Sequence, residues 1–158
     1  MNEIPALLEL LKAGQTVIAH RPWQRTVVTS EQWQTLIRGL EDRAWTLLGL
    51  WGEPGWAHLA VTEEPKTPPQ PSLAKAGGER REPGVFAIAS LPCPDGQFPS
   101  VGRLHPPAQR LERTITDLVG LQPIDAPDSR PWLDHGRWHI SQPLGAALPR
   151  TEPLPPYP

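Results

Sequence analysis

The sequence predicts an α+β fold. It reads as a mostly antiparallel sheet of roughly four or five strands, with about three helices on one face, followed by an extended C-terminal arm. Three observations carry this. Helical and strand patterns do not alternate regularly, and their order is α-β-α-β-β-loop-β-α-arm, which argues against a doubly wound sheet. Two apolar runs, Ala44–Trp51 and Trp56–Thr62, flank Gly52-Glu53-Pro54-Gly55 and so form a β-hairpin. Fourteen of the 22 prolines cluster in 63–83, 92–99 and 143–158, so the ordered core is smaller than the chain. The boundary that follows is an α+β domain over 1–125 and a Pro-rich arm and tail over 126–158.

In chain order, Ile4, Leu7, Leu8 and Leu11 sit at helical spacing and Gly14 ends the helix. Thr16–Ala19 and Arg25–Thr29 are β-branched runs interrupted by His20-Arg21-Pro22-Trp23, giving one bulged strand or two short ones. Thr29 and Gln32 form a capping box for a helix whose apolar face is Trp33, Leu36, Ile37 and Leu40. Residues 63–83 are polar and unpatterned, a loop. Gly84–Leu91 is apolar throughout and belongs in the middle of the sheet. The run PCPDGQFP reads as a turn region.

Pro106 and Pro107 suit the first turn of the last helix. Ala108, Leu111, Ile115 and Leu118 make its apolar stripe, bordered by Val119. Gln109, Arg110, Glu112, Arg113, Thr116 and Asp117 make the opposite face. Asp117 lies in the last turn, where the helix dipole disfavours a negative charge by roughly 0.3–1 kcal/mol. A helix gains from that placement only if Glu112, Arg113 and Asp117 pair with another element; a solvated charged face is the simpler alternative.

Composition limits function. The net charge of -2 and pI near 6.2 argue against a nucleic-acid partner. One cysteine, Cys93, excludes a disulfide framework, a zinc knuckle and a self-contained Fe–S site. No apolar run is long enough to span a bilayer, and no signal peptide opens the chain. No phosphate-binding glycine motif follows any strand. His20 and His58 read as structural histidines and His105 as a cap.

The run LERTITDLVGL, with Pro99-Ser100-Val101 before it and Pro127-Asp128 after it, resembles the signature of the 30 kDa subunit family of respiratory NADH:quinone oxidoreductase. Glu112, Arg113, Asp117, Leu118 and Gly120 match. Thr114 replaces the family's third acidic residue, and the G-H-P-D run survives as Ala126-Pro127-Asp128 after Asp125. The segment RPWLDHGRW, followed by Pro143-Leu144, is also similar to the homologous part of energy-converting group 4 (formate-hydrogenlyase-type) [NiFe] hydrogenase large subunits. The family's R-K-D after that Pro-Leu pair is absent here, where the chain reads PLGAALPR.

The resemblance implies a structural or assembly subunit with no cofactor and no active site of its own. Its partners would be the large subunit of the complex and a neighbouring Fe–S subunit. It would be cytoplasmic and reach the membrane only through the complex. Glu112, Arg113 and Asp117 would be interface ion-pair members, with Gly120 and Asp128 completing the motif. Arg130, Trp132, Asp134, Arg137 and Trp138 would extend the contact, since Trp and Arg dominate interface hot spots. Two alternatives stand beside this: a small metal-dependent enzyme using Asp134, His135 and His139, and an adapter whose Pro-rich tail binds a polyproline-recognising module.

Overall fold

The computed structural model describes residues 5–18, 25–63 and 85–145. Ile4, the His20–Trp23 interruption, the body of the 63–83 loop and the tail beyond residue 145 lie outside the described residues. Helix α1, Leu7–Lys12, buries Leu7 and Leu11. Strands β1, Gln15–Thr16, and β2, Arg25–Val27, follow. Helix α2, Ser30–Glu41, opens on the expected capping box: Thr29 Oγ1 accepts from the Gln32 amide and Gln32 Oε1 from the Thr29 amide. Each satisfies one of the donors a helix start leaves open.

Strands β3, Thr46–Glu53, and β4, Trp56–Glu63, form the hairpin, turning at Gly55 with φ 78°. Strand β5, Val85–Pro92, pairs with β4 on one side and β2 on the other. The sheet order is β1-β2-β5-β4-β3, so the continuously apolar strand is central, as its pattern predicts. The sheet is mixed: β2–β5 is parallel and the other three pairings are antiparallel.

Register explains which face is buried. Leu59 pairs with Ala89, Ala57 with Leu91 and Val61 with Ala87, so these six point the same way. They share one hydrophobic cluster with Leu7 and Leu11 of α1, with Trp33, Leu36, Ile37 and Leu40 of α2, and with Ile115 of the last helix. All three helices therefore cover a single face. On the other face Trp51, His58, Ser90 and Val27 stand in one cross-strand row. Buried His58 places Nδ1 2.9 Å from Ser90 Oγ, which also accepts from Arg25 Nε at 2.8 Å. Its ring stacks against Trp51 and Trp56, with centroids 5.2 and 6.5 Å away. This is the structural role expected of that histidine.

The supposed turn region after β5 contains a strand. β6, Gln97–Pro99, pairs in parallel with β7, Gln122–Ile124, in a separate two-stranded sheet. Three-residue strands that each contain a proline carry too little alternation to be read as strands from sequence. Between them, Pro106–Ala108 form a 3-10 turn leading into α3, Gln109–Val119. His105 caps this turn through its carbonyl, which accepts from the Ala108 amide at 3.0 Å; its side chain makes no capping bond.

Trp33 joins the two sheets. Its ring meets Phe98 edge-on at 6.4 Å, and its Nε1 donates to the Pro99 carbonyl at 3.1 Å. Trp33→Phe is expected to lower unfolding free energy by about 1–3 kcal/mol, through a stranded carbonyl and lost packing. Urea denaturation measures this, and an unchanged midpoint would show that the bond does not tie β6 to α2.

Candidate docking surface

The candidate site is built on α3. Its buried residues are Glu112, Ile115 and Val119, with Ala108 just ahead of the helix, so the inward stripe is rotated from the one the apolar pattern predicts. Leu111 and Leu118 are only partly buried. Glu112 is the correction that matters most: at 1% exposure its carboxylate faces inward and offers nothing directly to a partner. Oε1 accepts from the Val101 and Gly102 amides, and Oε2 accepts from Ser100 Oγ at 3.0 Å. Ser100 Oγ in turn accepts from the Arg103 amide. One carboxylate thus satisfies four consecutive residues of the loop after β6, directly or through one hydroxyl. Gly102 has no room for a side chain, since a Cβ there would lie 2.6 Å from Glu112 Oε2 and 2.8 Å from Gln109 Cγ. Burial pushes the Glu112 carboxyl up, against the downward pull of those three hydrogen bonds.

Arg113 and Asp117 do meet another element, but it is this chain's own arm. After β7 the chain turns at Asp125, φ 59°, and returns along α3. Arg113 donates to Asp128 Oδ2 at 3.0 Å, to the Arg130 carbonyl at 2.6 Å and to the Pro131 carbonyl at 2.9 Å. Asp128 also binds Arg130 through both its side chain and its amide. The Arg130 hydrogen bonds, followed by the charge of Arg113, hold the Asp128 carboxyl well below the usual carboxylate range.

Asp117 Oδ2 accepts from three successive amides, those of Trp132, Leu133 and Asp134, at 2.8, 2.6 and 3.3 Å. That explains a carboxylate at the disfavoured end of a helix: it caps the arm rather than α3. Trp132 lies under two guanidiniums, with Arg110 Cζ at 4.9 Å and Arg113 Cζ at 5.1 Å from its ring centroid. Gly120 ends α3 in the left-handed region at φ 89°, and its amide returns to the Ile115 and Thr116 carbonyls. Farther along, the Leu144 amide donates to the Leu118 carbonyl at 2.8 Å, fastening the arm across the end of the helix.

Asp134 is also engaged inside the chain. Its Oδ1 accepts from the Gly136, Arg137 and Trp138 amides, closing a turn over DHGRW. His135 and His139 stand exposed on this non-helical stretch, so the i, i+4 helical geometry of a two-histidine metal site does not form. Among the described residues, no group of three or more His, Cys, Asp and Glu is placed to hold a metal. Cys93 is buried, and desolvation pushes its thiol up, away from nucleophilic use.

With the ionic groups engaged internally, the arm presents apolar side chains outward. Trp132 and Trp138 are 37% and 38% exposed, and Ile140 and Leu144 both 59%. Leu133 joins them, and Arg130 and Arg137 are exposed beside them. Sequence reasoning named Trp132 and Trp138 but missed the three aliphatics, because scattered apolar residues in an unpatterned segment carry no periodic signal.

Two substitutions separate the role of the Glu112 carboxylate from its bulk. Glu112→Ala is expected to cost about 2–4 kcal/mol, leaving two buried amides unmet. Glu112→Gln, which mimics the protonated acid, is expected to cost about 1 kcal/mol or less. Equal losses in urea melts would mean the group only fills space. The two shifted carboxyls also titrate with opposite sign. Glu112 is raised, so the wild type gains on the Gln variant as pH falls towards the ordinary value of 4.5, and the difference is constant below it. Asp128 is depressed, so its advantage over Asp128→Asn is complete above 3.8 and closes only as pH drops further, through the depressed value.

Residues 81–153, a span containing β5, β6, α3, β7 and the arm, match the family model described as respiratory-chain NADH dehydrogenase, 30 kDa subunit. No curated protein matches the chain. Among the described residues, no helix is long and apolar enough to cross a membrane. The motif resemblance and the family match fall on the same stretch, and over residues 81–153 this chain carries the domain of the respiratory-chain NADH dehydrogenase 30 kDa subunit family.

Proposed function

We propose that this chain is a non-catalytic structural and assembly subunit of a respiratory complex I-type oxidoreductase, docking on the large subunit of the electron-transferring arm beside an Fe–S subunit. One observation supports this above the others. Arg113 and Asp117 together make six hydrogen bonds to the arm segment 128–134, and the result is a fixed surface of Trp132, Leu133, Trp138, Ile140 and Leu144. A pre-folded apolar and aromatic patch with an Arg rim loses little entropy on binding and suits a permanent interface. Docking then runs through the arm's outer side chains, with Arg130 and Arg137 at its edge. Glu112, Arg113, Asp117, Gly120, Asp128 and Asp134 act by holding that surface in shape. In this reading the chain works at the membrane's periphery, carried by its complex. The same patch would serve a hydrogenase-type large subunit, and the identity of the co-purifying large subunit decides that branch.

The test is affinity purification of the tagged chain from its own cells. Wild type is expected to bring down the large subunit and its Fe–S neighbour, and Trp132→Ala/Trp138→Ala to reduce that recovery at least about tenfold, as for hot-spot residues. Undiminished recovery, or NADH oxidation by the isolated chain, would overturn the proposal.

A further inference from the structure

A second surface adjoins the start of the arm and shares no residue with the clamp that holds it. A cleft of about 360 Å3 opens between Ile37 and Arg38 of α2, Ser100 and Leu104 of the loop after β6, and Ile124 and Asp125 at the end of β7. Its apolar lining is Ile37, Pro99, Leu104 and Ile124, and Ile124 is 47% exposed. Two guanidiniums border it. Arg103 is neutralised by Asp125 at 2.8 Å. The Arg38 guanidinium makes no hydrogen bond or ion pair among the described residues and leaves the cleft lining with one positive charge not paired within it. The dipole of α2 accounts for a basic residue in its last turn. It does not account for an apolar cleft and an exposed isoleucine next to that residue.

We infer that this cleft receives a carboxylate-bearing segment of the polypeptide on which the arm docks. An Asp or Glu side chain pairs with Arg38, and an adjoining aliphatic side chain lies on Leu104 and Ile124. The inference rests on the docking proposal. Charge complementarity selects the acidic group. The apolar lining with a single free cation selects a peptide over a small anion, which needs several converging donors. Position supports the same partner: Ile124 and Asp125, which line the cleft, immediately precede the arm, which begins at Ala126.

The experiment places a photo-crosslinking benzoylphenylalanine at Gln34, which lines the cleft, in the full chain within its complex. The expected product is a large-subunit peptide with an Asp or Glu within a few residues of the crosslink. Arg38→Glu is expected to cut retention in the complex about tenfold, Arg38→Gln less, and reversal of the partner's acid to Lys to restore the Glu variant. Arg38 is exposed, so circular dichroism should show both variants folded. Crosslinks confined to this chain, a crosslinked peptide without an acid, or undiminished retention of Arg38→Glu would overturn the inference. So would amide shifts around Arg38 with inorganic phosphate in the absence of a partner crosslink, which would make the cleft an anion site. If the Trp132/Trp138 variant dissociates while Arg38→Glu does not, only the cleft assignment falls; if neither dissociates, the docking proposal falls with it.

Discussion

The carboxylate of Glu112 is the interaction on which the site depends. It lies in the buried stripe of α3 and binds the Ser100–Gly102 segment through two amides and a hydroxyl. The same loop is fixed from the other side, where Trp33 of α2 holds the Pro99 carbonyl and the Ile124 carbonyl takes the Ser100 amide. Helix α2, the β6–β7 pair and α3 therefore meet at one short loop. A buried carboxylate is costly unless its hydrogen bonds are met. Here they are met by backbone that would otherwise be stranded, so removing either partner leaves the other unsatisfied.

From that anchor the charges of α3 act in sequence along the helix. Glu112 looks inward to the loop. Arg113 looks sideways to Asp128 and two arm carbonyls, and Asp117 to three arm amides. Arg113 and Asp128 are also shielded, with side chains 12% and 17% exposed, which makes their pair more than a screened surface contact. Polar groups thus organise an arm that has no regular secondary structure, and apolar groups are left to face outward. The arrangement inverts the usual division of labour in a domain, in which apolar contacts hold shape and polar ones meet the surroundings.

Much of the scaffold was legible in the sequence. The capping box at Thr29 and Gln32, the α2 face, the hairpin and the central place of β5 follow from local chemistry and periodicity, and local rules fix them in the structure too. The β6–β7 pair was not legible, because short strands beside prolines are specified by a partner distant in the chain. The charged face of α3 was half legible. That Glu112, Arg113 and Asp117 each need a partner could be argued from the odd placement of Asp117. That the partner is the loop behind and the arm ahead required the turn at Asp125, a left-handed residue that nothing local demands. The motif held a clue: Arg113 and Asp128 are opposite charges within one signature, and they bind each other.

The central claim is that α3 holds the arm in place before any partner arrives. Amide hydrogen exchange of the isolated chain tests it most directly, at Trp132 and Leu133, whose N–H groups bind Asp117. Both amides should be protected in the wild type by at least about tenfold over an unstructured peptide, and Asp117→Ala should remove that protection while the β4 and β5 amides stay slow. Unprotected amides in the wild type, or protection unchanged in Asp117→Ala, would contradict it.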